Sequence, residues 1–121
     1  MAATVATLPT ASPADIDHLA RLYEFRGGDD VANFIRDNPE VVAPLLNAVE
    51  VVPRYFGADT PLALEVVRDP EARDYRELFA FIQSTEGVDK ALARLRRFED
   101  EWWADALHRA NLKLMFGLEY R

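Results

Sequence analysis

Hydrophobic residues recur every three or four positions in the first half of the chain and alternate with polar residues in much of the second half. The first pattern is typical of amphipathic helices and the second of half-buried strands. The change comes near position 61. It predicts an α+β domain in which N-terminal helices pack with a three-stranded antiparallel sheet crossed by one long helix, in the order α-α-α-β-β-α-β.

Three helices are predicted before position 61. The first begins at residues 12–13, because serine followed by proline is a helix-start signal, and the glycines at 27–28 stop it. Aspartates at 29–30 cap the second helix, and the Asn-Pro pair at 38–39 starts the third, which ends at Gly57. The apolar positions expected to face the core are Ile16, Leu19, Ala20, Tyr23, Val31, Phe34, Ile35, Val42, Leu45, Leu46, Val49, Val52 and Phe56.

Two parts of the first half are expected to be irregular. Pro44 and Pro53 each lack a backbone N–H and crowd the preceding turn, so the third helix is predicted to be broken or kinked. Residues 1–12 are small residues, threonine and proline for the most part, which indicates a loose N-terminal tail.

Three strands are predicted over residues 62–67, 77–83 and 112–120. A polar connection over residues 70–76 joins the first two, and a helix precedes the third. We expect the first strand in the middle of the sheet, antiparallel to both neighbours, because an antiparallel sheet can leave one face wet. The apolar stripe of the crossing helix comprises Val88, Ala91, Leu92, Leu95, Phe98 and Trp102.

Length and composition indicate one ordinary globular domain over residues 1–121. The absence of cysteine excludes disulfides and thiolate chemistry, and it favours the cytoplasm as the compartment. A net charge of −7 argues against nucleic-acid binding, and no apolar run is long enough to span a membrane. No cofactor or metal motif is present, so none is predicted.

Three segments together resemble a family of small uncharacterised bacterial proteins. They are LALEVVRDPE at 62–71, LFAFIQST at 78–85 followed by ALARLRRFEDEWW at 91–103, and LKLMFGLEYR at 112–121. The pattern is a strand ending in Asp-Pro-Glu, a helix ending in Glu-Trp-Trp and an alternating C-terminal strand, over about half of the chain. The resemblance implies this order of elements and a bacterial cytoplasmic origin. It supplies no activity and no catalytic residue.

Four acidic residues are candidates for an acid-based site. Glu65 and Glu119 share the non-core face of the predicted sheet, where two carboxylates could bind a hard cation or act as an acid and base pair. Lys113 is expected on that face too, and Asp69 and Glu71 flank a proline at the exit of the first strand. The competing interpretation is that these residues are the solvated side of an amphipathic sheet and a strand stop.

The end of the crossing helix carries candidate contact residues. Three consecutive acids lie where the helix dipole disfavours negative charge, which indicates a basic partner or an intramolecular cation such as Arg96. The two tryptophans are adjacent, so on a regular helix they point in different directions and cannot both face one core. One is expected to anchor the helix and the other to cover a boundary or contact a partner. The candidates are Glu99, Asp100, Glu101, Trp102 and Trp103.

These features support two hypotheses. The first is a non-enzymatic protein-interaction module, either a homodimer or an acidic accessory or neutralising, antitoxin-like partner of another small protein. Its basis is the acidic surface, the apolar C-terminal strand at a sheet edge and the lack of a catalytic motif. The alternative is a small carboxylate-dependent enzyme or divalent-metal-binding domain that uses Glu65 and Glu119. His18 and His108 match no metal-ligand spacing and are expected to be ordinary surface or boundary residues.

Overall fold

The computed structural model of this chain describes residues 11–68, 70–71, 75–105 and 113–121. Four α-helices and four β-strands occur in these ranges, so the α+β class is confirmed. The helices are α1 (Pro13–Leu22), α2 (Asp30–Asp37), α3 (Val42–Phe56) and α4 (Val88–Phe98). The strands are β1 (Glu24–Phe25), β2 (Leu62–Arg68), β3 (Arg76–Ser84) and β4 (Leu114–Tyr120). A 3-10 turn at Pro39–Val41 precedes α3, and Glu99–Trp103 continues α4 as a π-helix.

Helix α1 begins where the sequence predicts. The Ser12 hydroxyl accepts a hydrogen bond from the backbone N–H of Asp15 at 3.1 Å, and the Asp15 carboxylate accepts one from the Ser12 N–H at 3.4 Å. This reciprocal capping satisfies backbone donors that have no partner inside the helix. The helix ends at Leu22 rather than at the glycines, because the chain becomes extended at Tyr23 and enters β1.

Helix α3 is continuous through both prolines, so of the two predicted outcomes, a break or a kink, the break is wrong. Pro44 lies in the first turn, where a backbone N–H has no intrahelical partner to lose. Pro53 lies inside the last turns, and the helix continues past it to Phe56. Gly57 then ends the helix with a φ of 108° and a ψ of 154°.

The sheet is mixed, and its strand order is β1-β2-β3-β4. The prediction of a three-stranded, all-antiparallel sheet with β2 between the other two long strands is therefore wrong in strand number, direction and order. Strand β2 pairs parallel with the two-residue β1 on one side and antiparallel with β3 on the other. Strand β4 pairs parallel with β3, because α4 carries the chain back along the sheet and lets both strands run in the same direction.

The helices and one face of the sheet form a single hydrophobic core. Phe98 lies at its centre without exposed surface, and its ring centroid is 5.1 Å from that of Phe116 on β4. The predicted stripe of α4 is only partly buried, since Val88 and Leu92 are exposed. The core residues contributed by the strands are Leu64, Leu78, Ala80, Ile82, Leu114 and Phe116.

The buried hydroxyl of Tyr23 ties the end of α1 to α3. It donates a hydrogen bond of 2.6 Å to the backbone carbonyl of Leu45. Burial of this phenol raises its pKa well above the ordinary value, because the charged form would be desolvated.

Candidate functional site

The side of the sheet turned away from the helices carries an apolar surface, here called the open face. Its central residues are Val67 on β2, Phe79 and Phe81 on β3, and Met115 on β4. The strand register places Met115 beside Phe79, and the rings of Phe79 and Phe81 stack with centroids 5.7 Å apart. All four are half-buried and lie outside the hydrophobic core and its packed periphery. Within the ranges that the structure describes, the helices contact the other side of the sheet.

Arg26 lies at one end of the open face because of local backbone constraints. It follows β1, and its backbone N–H donates a hydrogen bond of 3.0 Å to the carbonyl of Leu64 on β2. Gly27 and Gly28 come next with φ values of 79° and 63°, which glycine adopts readily and other residues rarely do. The chain therefore turns away into α2, and the Arg26 side chain remains over the sheet.

The guanidinium of Arg26 forms a bidentate ion pair with Glu119. Its two terminal nitrogens lie 2.7 Å and 2.6 Å from the two carboxylate oxygens. Since β2 and β3 lie between β1 and β4, this pair spans the sheet. Gln83 on β3 donates a third hydrogen bond of 2.7 Å to Glu119. Glu65 and Glu24 lie farther from the guanidinium, at 3.7 Å and 3.6 Å.

These contacts determine the charge of Glu119. The hydrogen bonds from Arg26 and then from Gln83 favour the ionised carboxylate and lower its pKa to about 2. The same pair raises the pKa of Arg26, chiefly through its hydrogen bond to Glu119. The group of residues Glu24, Arg26, Glu65, Gln83 and Glu119, here called the Arg26 network, therefore contains three acids and one base. At neutral pH it has a formal charge of −2.

The prediction that Glu65 and Glu119 share one face of the sheet is right, but the two carboxylates are not side by side. They lie on the same face, but β3 separates their strands, so they are not neighbours. Arg26 contacts both carboxylates, and this occupies the region in which a shared cation would have to bind. Sequence reasoning missed Arg26 because its bond to Glu119 joins residues 93 positions apart.

The prediction also included Asp69, Glu71 and Lys113. Asp69 lies outside the described residues, and Glu71 is exposed in the turn after β2. The placement of Lys113 on the open face is wrong. Its ammonium donates a hydrogen bond of 2.7 Å to the side chain of Asn38 and lies 3.6 Å from Glu40, so it is directed toward the helices.

Both tryptophans contact the hydrophobic core, but to different depths. Trp103 is 3% exposed and Trp102 is half-buried, and their ring centroids lie 4.8 Å and 5.9 Å from that of Phe116. Both rings therefore contact Phe116, but only Trp103 belongs to the core, and Trp102 packs against its edge. The residues adopt a π-helix, whose wider turn separates consecutive side chains by a smaller angle than an α-helix does. Trp103 anchors the helix as expected, and Trp102 covers its boundary.

Among the described residues, Glu101 of the acidic run has intramolecular partners. Glu101 accepts hydrogen bonds from the Tyr55 hydroxyl at 2.8 Å and from Arg97 at 3.3 Å, which lower its pKa. The cation is thus Arg97 rather than the predicted Arg96. Glu99 is half-buried and Asp100 is exposed.

A concavity of about 410 Å³ lies between α2 and one end of the sheet, apart from the open face. Arg68, Arg76 and Lys113 contribute cations to its lining, and Asp30 and Asp37 contribute acids. Arg68 lies 3.8 Å from Asp30, so the opposite charges partly pair with each other. This lining is polar and close to neutral.

No group of three or more histidine, cysteine, aspartate or glutamate side chains in the described ranges could hold a metal ion. In the same ranges, no helix has the length and apolar character needed to cross a bilayer. Comparison with protein-family models, with curated proteins and with solved structures gave no match for this chain.

Proposed function

We propose that this chain is a non-enzymatic protein-interaction module that binds a basic partner protein on its open face. The observation that carries the proposal is the half-exposed apolar row on the side of the sheet away from the helices. Exposed contiguous apolar surface costs free energy in water, and it commonly marks a binding site.

The centre of the open face has the composition of an interface core. Aromatic residues and methionine are enriched at protein interfaces. The stacked rings of Phe79 and Phe81 present a rigid surface. Gly117 lies beside Phe81 in register and adds no side chain, so the rings are accessible from β4. A partner side chain of aliphatic or aromatic type fits this surface.

The ends of the open face specify the charge of the partner. The Arg26 network gives one end a formal charge of −2, and Glu77 adds an acid at the other end. The whole chain has a net charge of −7. A basic rim around an apolar centre on the partner complements this distribution, and such charge complementarity accelerates association and improves specificity. A neutralising role toward a basic protein is consistent with this chemistry.

The test compares proteins captured by wild type and by Phe79→Ser. Phe79 is half-buried and outside the core, so the variant is expected to keep the wild-type circular dichroism spectrum. The matched control is Leu92→Ser, since Leu92 is an exposed hydrophobic residue on α4. We expect a basic protein that binds wild type and Leu92→Ser, and binds Phe79→Ser at least ~10-fold more weakly in a titration with purified components.

Charge provides an independent part of the same test. Glu24→Lys is expected to slow association, and added salt should reduce the difference from wild type. Equal binding of the same partner by wild type, Phe79→Ser and Glu24→Lys, or a partner of acidic character, would contradict the proposal.

A further inference from the structure

Strand β4 forms one edge of the sheet, and its outer side has no strand neighbour among the described residues. It is seven residues long, whereas the strand at the opposite edge, β1, has only two. An edge strand of this length presents a row of backbone donors and acceptors to which another strand can pair.

The direction of these backbone groups follows from two hydrogen bonds. The carbonyl of Lys113 accepts from the N–H of Leu78 at 2.8 Å, and the N–H of Arg121 donates to the carbonyl of Ser84 at 2.9 Å. In a parallel ladder, alternate residues of a strand bond to the same neighbour. Odd-numbered residues of β4 therefore bond to β3. The even-numbered residues Leu114, Phe116, Leu118 and Tyr120 direct their backbone groups to the outer edge.

Strand β4 lacks a bulge, a proline and a lysine, three of the devices that commonly prevent edge pairing. Its register with β3 is uninterrupted from Leu114 to Tyr120, so it has no bulge, and it contains no proline or lysine. Its single charged residue, Glu119, is paired with Arg26 on the open face.

We propose that β4 pairs antiparallel with β4 of a second copy of this chain, around a twofold axis at Gly117. Identical strands related by a twofold axis run antiparallel, and each residue faces the one equally distant from the axis. With the axis at Gly117, Leu114 faces Tyr120 and Phe116 faces Leu118, so outward-directed backbone groups meet on both strands. This register also pairs all seven residues of the strand.

Other registers are worse for reasons of geometry. If the axis lay between two residues, each residue whose backbone groups point to the outer edge would face one whose groups point to β3, and no hydrogen bond could form. If the axis lay at a neighbouring even-numbered residue, part of the strand would have no residue opposite it. The axis at Gly117 also places Glu119 opposite Met115, which keeps the two acidic side chains of the dimer apart. The like charges Lys113 and Arg121 face each other just beyond the strand, where Lys113 is paired with Glu40.

The dimer would contain one continuous eight-stranded sheet, since each copy contributes four strands. The two open faces would join at the seam, with Met115 of each copy near it. This dimer uses the edge of β4 rather than the open face, so it does not depend on the partner protein proposed above.

Single-cysteine variants test the register directly, because the chain contains no cysteine. Gly117 would face its copy in a non-hydrogen-bonded pair, where Cα atoms lie about 4.5 Å apart, a separation that a disulfide can bridge. A side chain at Gly117 would find Phe79 and Phe81 atoms at 3.8–3.9 Å, an ordinary contact distance. We expect Gly117→Cys to form a covalent dimer on mild oxidation. Met115→Cys is the matched control, since the two residues at position 115 would lie ~13 Å apart in the dimer. This variant is expected to remain a monomer on a denaturing gel.

Light scattering on wild type is the second measurement, with a dimeric mass expected. Tyr120→Pro removes one outward N–H at an exposed position without removing a bond to β3, so it should raise the dimer dissociation constant at least ~10-fold. Phe79→Ser should leave the dimer unchanged, which separates this proposal from the open-face proposal. A monomeric wild type, or equal cross-linking of Gly117→Cys and Met115→Cys, would overturn the inference.

Discussion

Arg26 is the residue that connects the most distant strands of the sheet. Its bidentate bond to Glu119 joins β1 to β4, and its guanidinium also lies 5.7 Å from the ring centroid of Phe81. The side chains of Arg26 and Glu119 are 25% and 34% exposed, which places this pair between a solvated surface pair and a buried one. A pair of this kind contributes to stability when its geometry is bidentate.

Arg26→Gln is expected to lower the free energy of unfolding by about 1 kcal/mol at pH 7, since Glu119 keeps only its bond to Gln83. Urea unfolding followed by circular dichroism measures this change. Arg54→Gln is the control, because Arg54 is an exposed residue of α3, and its effect should stay within about 0.5 kcal/mol.

The effect of Arg26→Gln is expected to depend on pH. The folded protein lowers the pKa of Glu119 from 4.5 to about 2, so folding favours the ionised carboxylate. The resulting stabilisation is fully present above about pH 4.5 and is lost as the pH falls toward about 2. The difference between wild type and Arg26→Gln should therefore shrink over this range in the same urea experiment. An equal difference at pH 7 and at the acidic end would show that Arg26 acts mainly through packing.

At the level of elements, local patterns predicted what the chain forms but not how the strands are ordered. Alternation over residues 62–67 and 77–83 located β2 and β3 to within one residue at each end. Strand β1 was missed, because two residues cannot show an alternating pattern. The predicted strand order was wrong because alternation shows which side chains share a face of a strand. It contains no information on which other strand lies beside it.

The candidate site was predictable only in part for a related reason. The apolar and acidic residues on one side of the sheet follow from alternation alone, and the sequence placed Glu65 and Glu119 there. Arg26 and the packing of both tryptophans depend on the observed strand order and on the π-helix, neither of which has a local signal in this sequence. Contacts between residues far apart in the chain therefore account for most of what was missed.

The end of α3 provides a prediction at this scale. Gly57 has a φ of 108° and a ψ of 154°, a region that is essentially restricted to glycine. Gly57→Ala is expected to lower the free energy of unfolding by about 1–3 kcal/mol. Gly87→Ala is the matched control, because Gly87 precedes α4 as its N-cap with a φ of −63° and has open space around it. Thermal unfolding of both variants checks this, and an equal loss in the two would show that backbone strain at Gly57 is not the cause.

For the molecule as a whole, Phe98 links the N-terminal helices to the C-terminal part of the sheet. Its ring contacts Tyr55 and Phe56 of α3 at centroid distances of 5.9 Å and 6.3 Å, and Trp102 and Phe116 on the other side at 5.2 Å and 5.1 Å. One core shared by both halves favours a single cooperative transition.

This arrangement predicts that two probes report the same unfolding midpoint. Far-UV circular dichroism follows all helices, whereas tryptophan fluorescence follows only Trp102 and Trp103, the two tryptophans of the chain. Phe98→Leu is expected to lower the free energy of unfolding by about 1–1.5 kcal/mol, because it removes ring contacts on both sides of the core at once. Both probes should therefore report the same lowered midpoint. Phe98→Ala should cost about 3–5 kcal/mol, and Leu92→Ala, at an exposed position of α4, less than about 0.5 kcal/mol. A fluorescence transition that separates from the circular dichroism transition in Phe98→Leu would show that the two halves are stabilised independently.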